Sequence, residues 1–248
     1  MNKISLFIAL FAGVAFTTAF HVAVPTESGS QYCIILDAEA SGTITYTTIS
    51  NETKTFEFKI PALTSSHGKC LDTQNGTTTE KLSLEFYPNN VTTQEAASRP
   101  WEFTIIFKED SRQVNNAYVI DNYNLRVELY PEIFENATEQ FVNYFKDEKA
   151  EAEWHGEKTI GFTCSKSGLS LTDDSSIVFE HLKVVAFGLF DSANFTDTQG
   201  FEQCKLDIRT SDLVPIVVGA CLAGLVIAVL IAYLIGRARA KRQGYTSV

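Results

Sequence analysis

Histidine is scarce in this chain, and its four copies, His21, His67, His155 and His181, fall in none of the spacings that bring two imidazoles to one metal ion. No His-Glu-x-x-His helix, serine nucleophile elbow or phosphate-binding glycine loop occurs either, so the usual sequence grounds for a zinc hydrolase, a serine hydrolase or a nucleotide-dependent enzyme are missing. Carboxylates are numerous enough to furnish a glycosidase-like acid pair, yet they scatter over alternating faces of the candidate strands. We expect no catalytic residue, no metal ligand and no cofactor. Positive charge is also in deficit, 20 Lys plus Arg against 30 Asp plus Glu, and residues 20–212 hold 15 of the bases with all 30 acids. So acidic a segment, without a basic stripe interleaved with aromatics, repels nucleic acid and excludes it as a partner. Proline is sparse, no Pro/Ser/Thr-rich hinge interrupts residues 20–212, and no internal repeat of useful length is present. Thr92–Ser98 is the most linker-like stretch, but it is too short to divide domains.

Two apolar stretches stand out. Leu213–Ile235 contains no charged residue, and its 23 positions rise about 34 Å as a helix, enough for a hydrocarbon core of about 30 Å. It reads as a transmembrane helix through a lipid bilayer, because soluble helices rarely stay apolar on every face for this length. The shorter stretch, Ile4–Phe16, follows Lys3 and precedes the small residues Thr17-Thr18-Ala19. That is the layout of a secretory signal peptide at residues 1–19, with cleavage expected after Ala19. Arg237, Arg239, Lys241 and Arg242 crowd the far side of the long apolar run, whereas Asp207 and Asp212 lie on its near side. The positive-inside rule then places residues 236–248 in the cytosol as a short tail and residues 20–212 in the lumen.

Cysteine usage fits an oxidising compartment, since residues 20–212 carry an even set of four: Cys33, Cys70, Cys164 and Cys204. Four cysteines allow three pairings. Local pairing closes the shortest loops, and each such disulfide is worth roughly 3 to 4 kcal/mol in the chain-entropy model. The fifth, Cys221, lies within the membrane run and reads as an apolar packing residue. Five Asn-x-Ser/Thr acceptors, at Asn51, Asn75, Asn90, Asn136 and Asn194, all fall in the luminal segment with no proline in the middle position. A glycosylated asparagine must face water, so each also marks a surface turn or strand edge.

Between these turns the chain alternates apolar with polar residues, the period of half-buried antiparallel strands: Ile44–Ile49, Thr55–Ile60, Lys81–Tyr87, Trp101–Phe107 and Asn124–Tyr130. Further strand-like runs are Leu169–Leu171, Ser176–Glu180 and Leu182–Phe190. Helical spacing arises in residues 20–212 only over 135–154, where Phe141, Tyr144 and Phe145 share a helical face. The expectation is one all-β luminal domain with a single core.

Taken together, these features resemble the lysosome-associated membrane glycoproteins. The membrane segment Leu213–Arg237 is similar to that family's almost residue by residue, with Pro215, Gly219, Ala223-Gly224, Tyr233 and the Gly236-Arg237 exit. The approach to the last cysteine, from Val184-Val-Ala-Phe187 through Asn194-Phe-Thr-Asp197 to Cys204-Lys-Leu-Asp207, also resembles it, as does the terminal Gly244-Tyr245-Thr-Ser-Val248. The resemblance implies a β-prism-like luminal domain in which sequential cysteines pair. It departs from the vertebrate double-domain members in having one luminal domain and no hinge, and looks more like the single-domain invertebrate forms.

The chain ends in Gly244, Tyr245 and, three residues on, Val248, a Tyr-x-x-hydrophobic sorting signal. Such a tetrapeptide adds as a strand to an adaptor sheet edge, with Tyr245 and Val248 filling two pockets, so the medium subunits of clathrin adaptors are the expected partners. Within the membrane, Gly219 with Ala223 and Ala220 with Gly224 have the small-xxx-small spacing that lets helices approach, which offers self-association; binding to other lysosomal membrane proteins is what the family resemblance implies, on no particular residues. The expected protein is a type I glycoprotein of the lysosome membrane, also passing through late endosomes and transiently the cell surface. It would be a structural and protective component of the limiting membrane, supporting lysosome biogenesis and trafficking. The alternatives are a cycling endocytic receptor and, further off, a membrane-tethered luminal hydrolase.

Overall fold

The computed structural model describes residues 19–74, 76–91, 99–110, 117–151, 154–208 and 213–243. They fall into two compact units, Met1–Asp207 and Ile208–Val248. The first holds the strands β1 (Phe20–Pro25), β2 (Tyr32–Thr47), β3 (Thr53–Ile60), β4 (Ser65–Gln74), β5 (Thr77–Phe86), β6 (Trp101–Glu109), β7 (Ala117–Glu128), β8 (Phe141–Phe145), β9 (His155–Glu157), β10 (Ile160–Ser170), β11 (Ser176–Val185) and β12 (Gly200–Gln203). The second holds the helix α1 (Leu213–Gln243). The first unit is all-β, as its alternating sequence requires.

All twelve strands join one sheet, in the order β1-β2-β11-β10-β9-β7-β6-β5-β4. β3 pairs with β2, β8 with β7, and β12 runs parallel to β10. Two long strands serve two partners along one edge. β2 takes β1 over Tyr32–Ala38 and β3 over Ala40–Thr47, while β7 takes β9 over Ala117–Val119 and β8 over Asn124–Glu128. The sheet therefore turns corners and curls into the nearly closed, prism-like barrel.

Its two ends meet. Gly68 on β4 lies so close to β1 that a Cβ there would come within 2.9 Å of Val24 and 2.1 Å of the Lys81 carbonyl, so only glycine fits. Cys70 Sγ on β4 sits 3.4 Å from the Pro25 carbonyl oxygen of β1. No backbone ladder joins β1 to β4 among the described residues.

The enclosed core is aromatic. Trp101 is fully buried with ring centroids 5.1 Å from Phe58, 6.1 Å from Phe86 and 6.2 Å from Phe134, edge-on or tilted as aromatic quadrupoles prefer. Its indole N–H donates to the Glu128 carbonyl at 2.9 Å. Each buried tyrosine also spends its hydroxyl on a carbonyl from elsewhere in the sheet: Tyr118 on Val184, Tyr123 on Ser170, Tyr130 on Arg99 and Tyr144 on Thr45. These bonds remove the desolvation cost of the polar tips and cross-brace the walls of the barrel.

The helical expectation over 135–154 is overturned. Asn136 takes a left-handed φ of 59°, which no right-handed helix tolerates, and Phe141–Phe145 forms β8 against β7. Tyr144 points into the core while Phe141 and Phe145 face outward. Phe141 lies beneath the Arg126 guanidinium, 5.0 Å from its ring centroid, which gives an exposed aromatic a strand-compatible reason to be there.

The open edge of β3 is capped by a side chain. Asn89 Oδ1 accepts from the Lys59 N–H at 2.9 Å, and Asn89 Nδ2 donates to the Glu57 carbonyl at 3.1 Å, so one amide mimics a residue of a neighbouring strand. Replacing Asn89 by alanine is expected to lower stability by about 1 to 2 kcal/mol. Chemical denaturation reads that loss, and an unchanged midpoint would show that water serves the edge equally well.

Candidate functional site

The structure joins Cys33 to Cys70 and Cys164 to Cys204, with Cα atoms 5.9 and 5.2 Å apart. The first bond ties β2 to β4 across the place where the sheet ends meet. The second ties β10 to the residue after β12, strands that are already neighbours. Asp207, just beyond, accepts from both the N–H and the hydroxyl of Ser165, and these bonds hold its carboxyl below the usual carboxylate range. Cys221 stands as a free thiol on α1.

Behind the Cys33–Cys70 bond lies a charge-capable group that the sequence reading passed over. Strand alternation on β5 turns Leu82, Leu84 and Phe86 inward, and the same alternation carried one pair back turns Glu80 inward too. Its carboxylate is inaccessible to solvent and close to both sulfurs. Oε2 accepts from the Phe187 N–H at 2.6 Å, while Oε1 finds no hydrogen-bond partner among the described residues. Burial pushes its pKa up to about 7, against the pull of the Phe187 and Leu71 N–H groups and the Lys158 ammonium. Periodicity alone contained this signal: the inward row of β5 continues past the apolar residues.

Of the five glycan acceptors, Asn51, Asn90, Asn136 and Asn194 are exposed, and Asn75 lies outside the described residues. Asn51, Asn90 and Asn136 have left-handed φ values of 62°, 56° and 59°. Asparagine tolerates that conformation because its short side chain makes local hydrogen bonds, so three acceptors occupy turns for a backbone reason independent of glycosylation. The Asn136 carbonyl accepts from the Ile49 N–H, which brings this turn and the Asn51 turn to one end of β2.

The four histidines are brought together neither with one another nor with a thiol. Each instead faces a carboxylate: His21 with Asp37, His67 with Glu85 and Glu102 at 3.7 Å, His155 with Glu202 at 3.5 Å and His181 with Glu39 at 3.4 Å. A surface depression of about 700 Å³ is bounded by the polar residues Asp147, Lys149, Thr172, Asp173, Asp174 and Ser176. That composition differs from the apolar walls of a small-molecule site.

In the second unit, α1 contains one stretch, Ile216–Arg239, long and apolar enough to cross a membrane. The helix runs past Ile235 to Gln243, so the first residues of the expected tail, through Arg237, Arg239, Lys241 and Arg242, continue it. Arginine, lysine, alanine and glutamine are good helix formers, and basic residues near a helix C-terminus complement its dipole. Pro215 is accommodated because the first turn has no intrahelical use for its missing N–H. Gly244, Tyr245 and Val248 lie outside the described residues, as do residues 1–18.

Residues 214–246 match a family model described as lysosome-associated membrane glycoprotein 2, transmembrane segment. The chain is 41% identical over 93 residues to lysosome-associated membrane glycoprotein 1 of Gallus gallus, covering 36% of this chain and 21% of that protein. It is 37% identical over 97 residues to the same protein of Mus musculus, covering 38% and 23%. The matched part thus spans about a fifth of the length of these relatives. By fold, the chain is similar to the membrane-proximal domain of mouse lysosome-associated membrane protein 1, with TM-score 0.54 and 15% identity over 77% of this chain and 99% of that one. It is equally similar to the membrane-distal domain of mouse lysosome-associated membrane protein 2, with TM-score 0.53 and 17% identity over 75% and 99%. Membrane segment, partial sequence identity and fold converge on one likeness: the chain carries a transmembrane segment of the lysosome-associated membrane glycoprotein type and is similar over its luminal fold to domains of that family.

Proposed function

We propose that this protein is a resident of the lysosomal limiting membrane, where residues 20–212 form a glycosylated inner coat and residues 236–248 carry the address. The observation that carries this reading is the match of residues 214–246 to the family's transmembrane segment, which runs into the Tyr-x-x-hydrophobic tetrapeptide at 245–248. The protective part needs no ligand. A disulfide-tied barrel with a capped strand edge offers a hydrolase few extended segments, and glycans at exposed turns shield those that remain.

Removal of residues 1–19 is consistent with the start of the fold, since β1 begins at Phe20 and the Phe20 side chain is buried. Supply to the lysosome would run through late endosomes, with some molecules passing the cell surface, by adaptor medium subunits that grip Tyr245 and Val248. Support of lysosome biogenesis and trafficking follows from that route.

The test is topological. N-glycosidase treatment of protein from its native cells is expected to lower its apparent mass in up to five steps, one per acceptor. In sealed lysosomes, external protease should remove only the tail. Unchanged mobility together with digestion of the bulk of the chain would overturn the reading.

A further inference from the structure

The seam where the sheet closes has an acidic group built into it. Glu80 sits behind the Cys33–Cys70 bond, fully shielded from solvent, with one oxygen unpartnered among the described residues. The segments that enclose it are the turn at Phe187 and the irregularity at Leu71 between Lys69 and Asp72 of β4. Both aim backbone N–H groups at its carboxylate, and both hold non-glycine residues at left-handed φ, 58° and 49°. Left-handed backbone at bulky residues is strained, so these two segments have less to lose on opening than the regular strands beside them. We propose that Glu80 is a proton-operated latch on this seam: with its carboxyl neutral the Phe187 turn and the Leu71 segment close over it, and with its carboxyl charged they loosen to admit water.

Burying a charged carboxylate with an unfilled acceptor is costly, whereas the neutral acid asks far less of its surroundings. The facing charges are few. Lys158, between β9 and β10, is paired with Glu109 of β6 at 2.7 Å and lies 5.5 Å from the Phe187 ring centroid. Tyr118 of β7 faces Glu80 with its hydroxyl committed to Val184, and Glu202 of β12 acts on Tyr118 in turn. On β4, Lys69 and Asp72 pair at 2.9 Å on either side of Cys70-Leu71. Only Lys158 draws Glu80 toward its charged form from this set.

The sign follows from linkage. The folded-state pKa of Glu80, about 7, exceeds its ordinary value of 4.5, so the folded protein holds the proton more tightly than the unfolded chain. The stability this adds is fully present below 4.5, declines as pH rises toward 7, and is lost above it. The seam is therefore tight in an acidic compartment and loosest at neutrality.

Amide hydrogen exchange on the full-length protein in detergent, at pH 5 and pH 7.5 and corrected for intrinsic rates, tests the latch. Segments containing Leu71 and Phe187 should open about tenfold more often at the higher pH, and Glu80→Gln should hold both at their acid level. Lys158→Met should move the midpoint of the change upward, because an attraction favouring the charged carboxyl is gone. Equal protection at the two pH values in the wild type, or a pH effect that survives Glu80→Gln, would overturn the proposal. Should Glu80→Gln fail to fold, the wild-type exchange and the Lys158→Met midpoint decide it.

Discussion

Replacing Tyr245 by alanine is expected to redistribute the protein from lysosomes to the cell surface. In the sorting role proposed above, a tyrosine ring fills an adaptor pocket and its hydroxyl finds a partner there, so its truncation would cost about 2 kcal/mol or more. That is roughly a thirtyfold loss of adaptor affinity. Internalisation should then fall toward the rate of bulk membrane. Val248 supplies a control of opposite sign. Valine is one methylene smaller than leucine, so Val248→Leu adds about 0.8 kcal/mol of buried apolar surface, about a fourfold gain, and should shrink the surface pool. Surface biotinylation and co-localisation with a lysosomal marker measure both. If Tyr245→Ala remains lysosomal, the tail is not the address, and the barrel or the membrane helix must carry it.

The strands most legible from sequence were those whose two faces meet different solvents. β3, β5 and β6 alternate because one face lines the core and the other faces outward, and their residues were read close to their true limits. β4 was missed because Ser65-Ser-His-Gly-Lys-Cys-Leu-Asp-Thr-Gln74 contains almost nothing apolar. It is a strand because β5 supplies a ladder and the disulfide fixes it, neither of which leaves a local pattern. The error at Phe141, Tyr144 and Phe145 came from reading three aromatics as one face, when one is core and the others are surface. Glu80 was overlooked for the converse reason: an acid at the end of an apolar row reads as the row's boundary, although burial continues through it. The apolar helix, by contrast, was legible as such, since a bilayer demands uniform composition rather than a pattern, although the helix continues past Ile235.

Removing either disulfide is expected to cost about the same globally, but only one of the two should let the barrel open locally. The sequence separations, 37 and 40 residues, predict nearly equal losses of about 4 kcal/mol each in the chain-entropy model. That is a large share of the roughly 5 to 15 kcal/mol a domain has. What remains after each loss differs. Without Cys164–Cys204, β12 still pairs with β10 from Ile160 to Thr163, the Cys204 N–H still donates to Thr163, and Asp207 still holds Ser165. Without Cys33–Cys70, β4 keeps its ladder to β5 but nothing covalent or hydrogen-bonded along a ladder ties it to β1 or β2 among the described residues. The close approach of Gly68 to Val24 then remains across the seam, and the cost of ionising Glu80 acts to part it. The Cys33→Ala/Cys70→Ala protein should accordingly be cut by protease within 65–77 under conditions that leave its core intact, faster at pH 7.5 than at pH 5. The Cys164→Ala/Cys204→Ala protein should unfold at lower denaturant as one unit with no such early cut. Identical cleavage patterns for the two variants would mean that the seam is held by packing and that the disulfide there is not what closes the sheet.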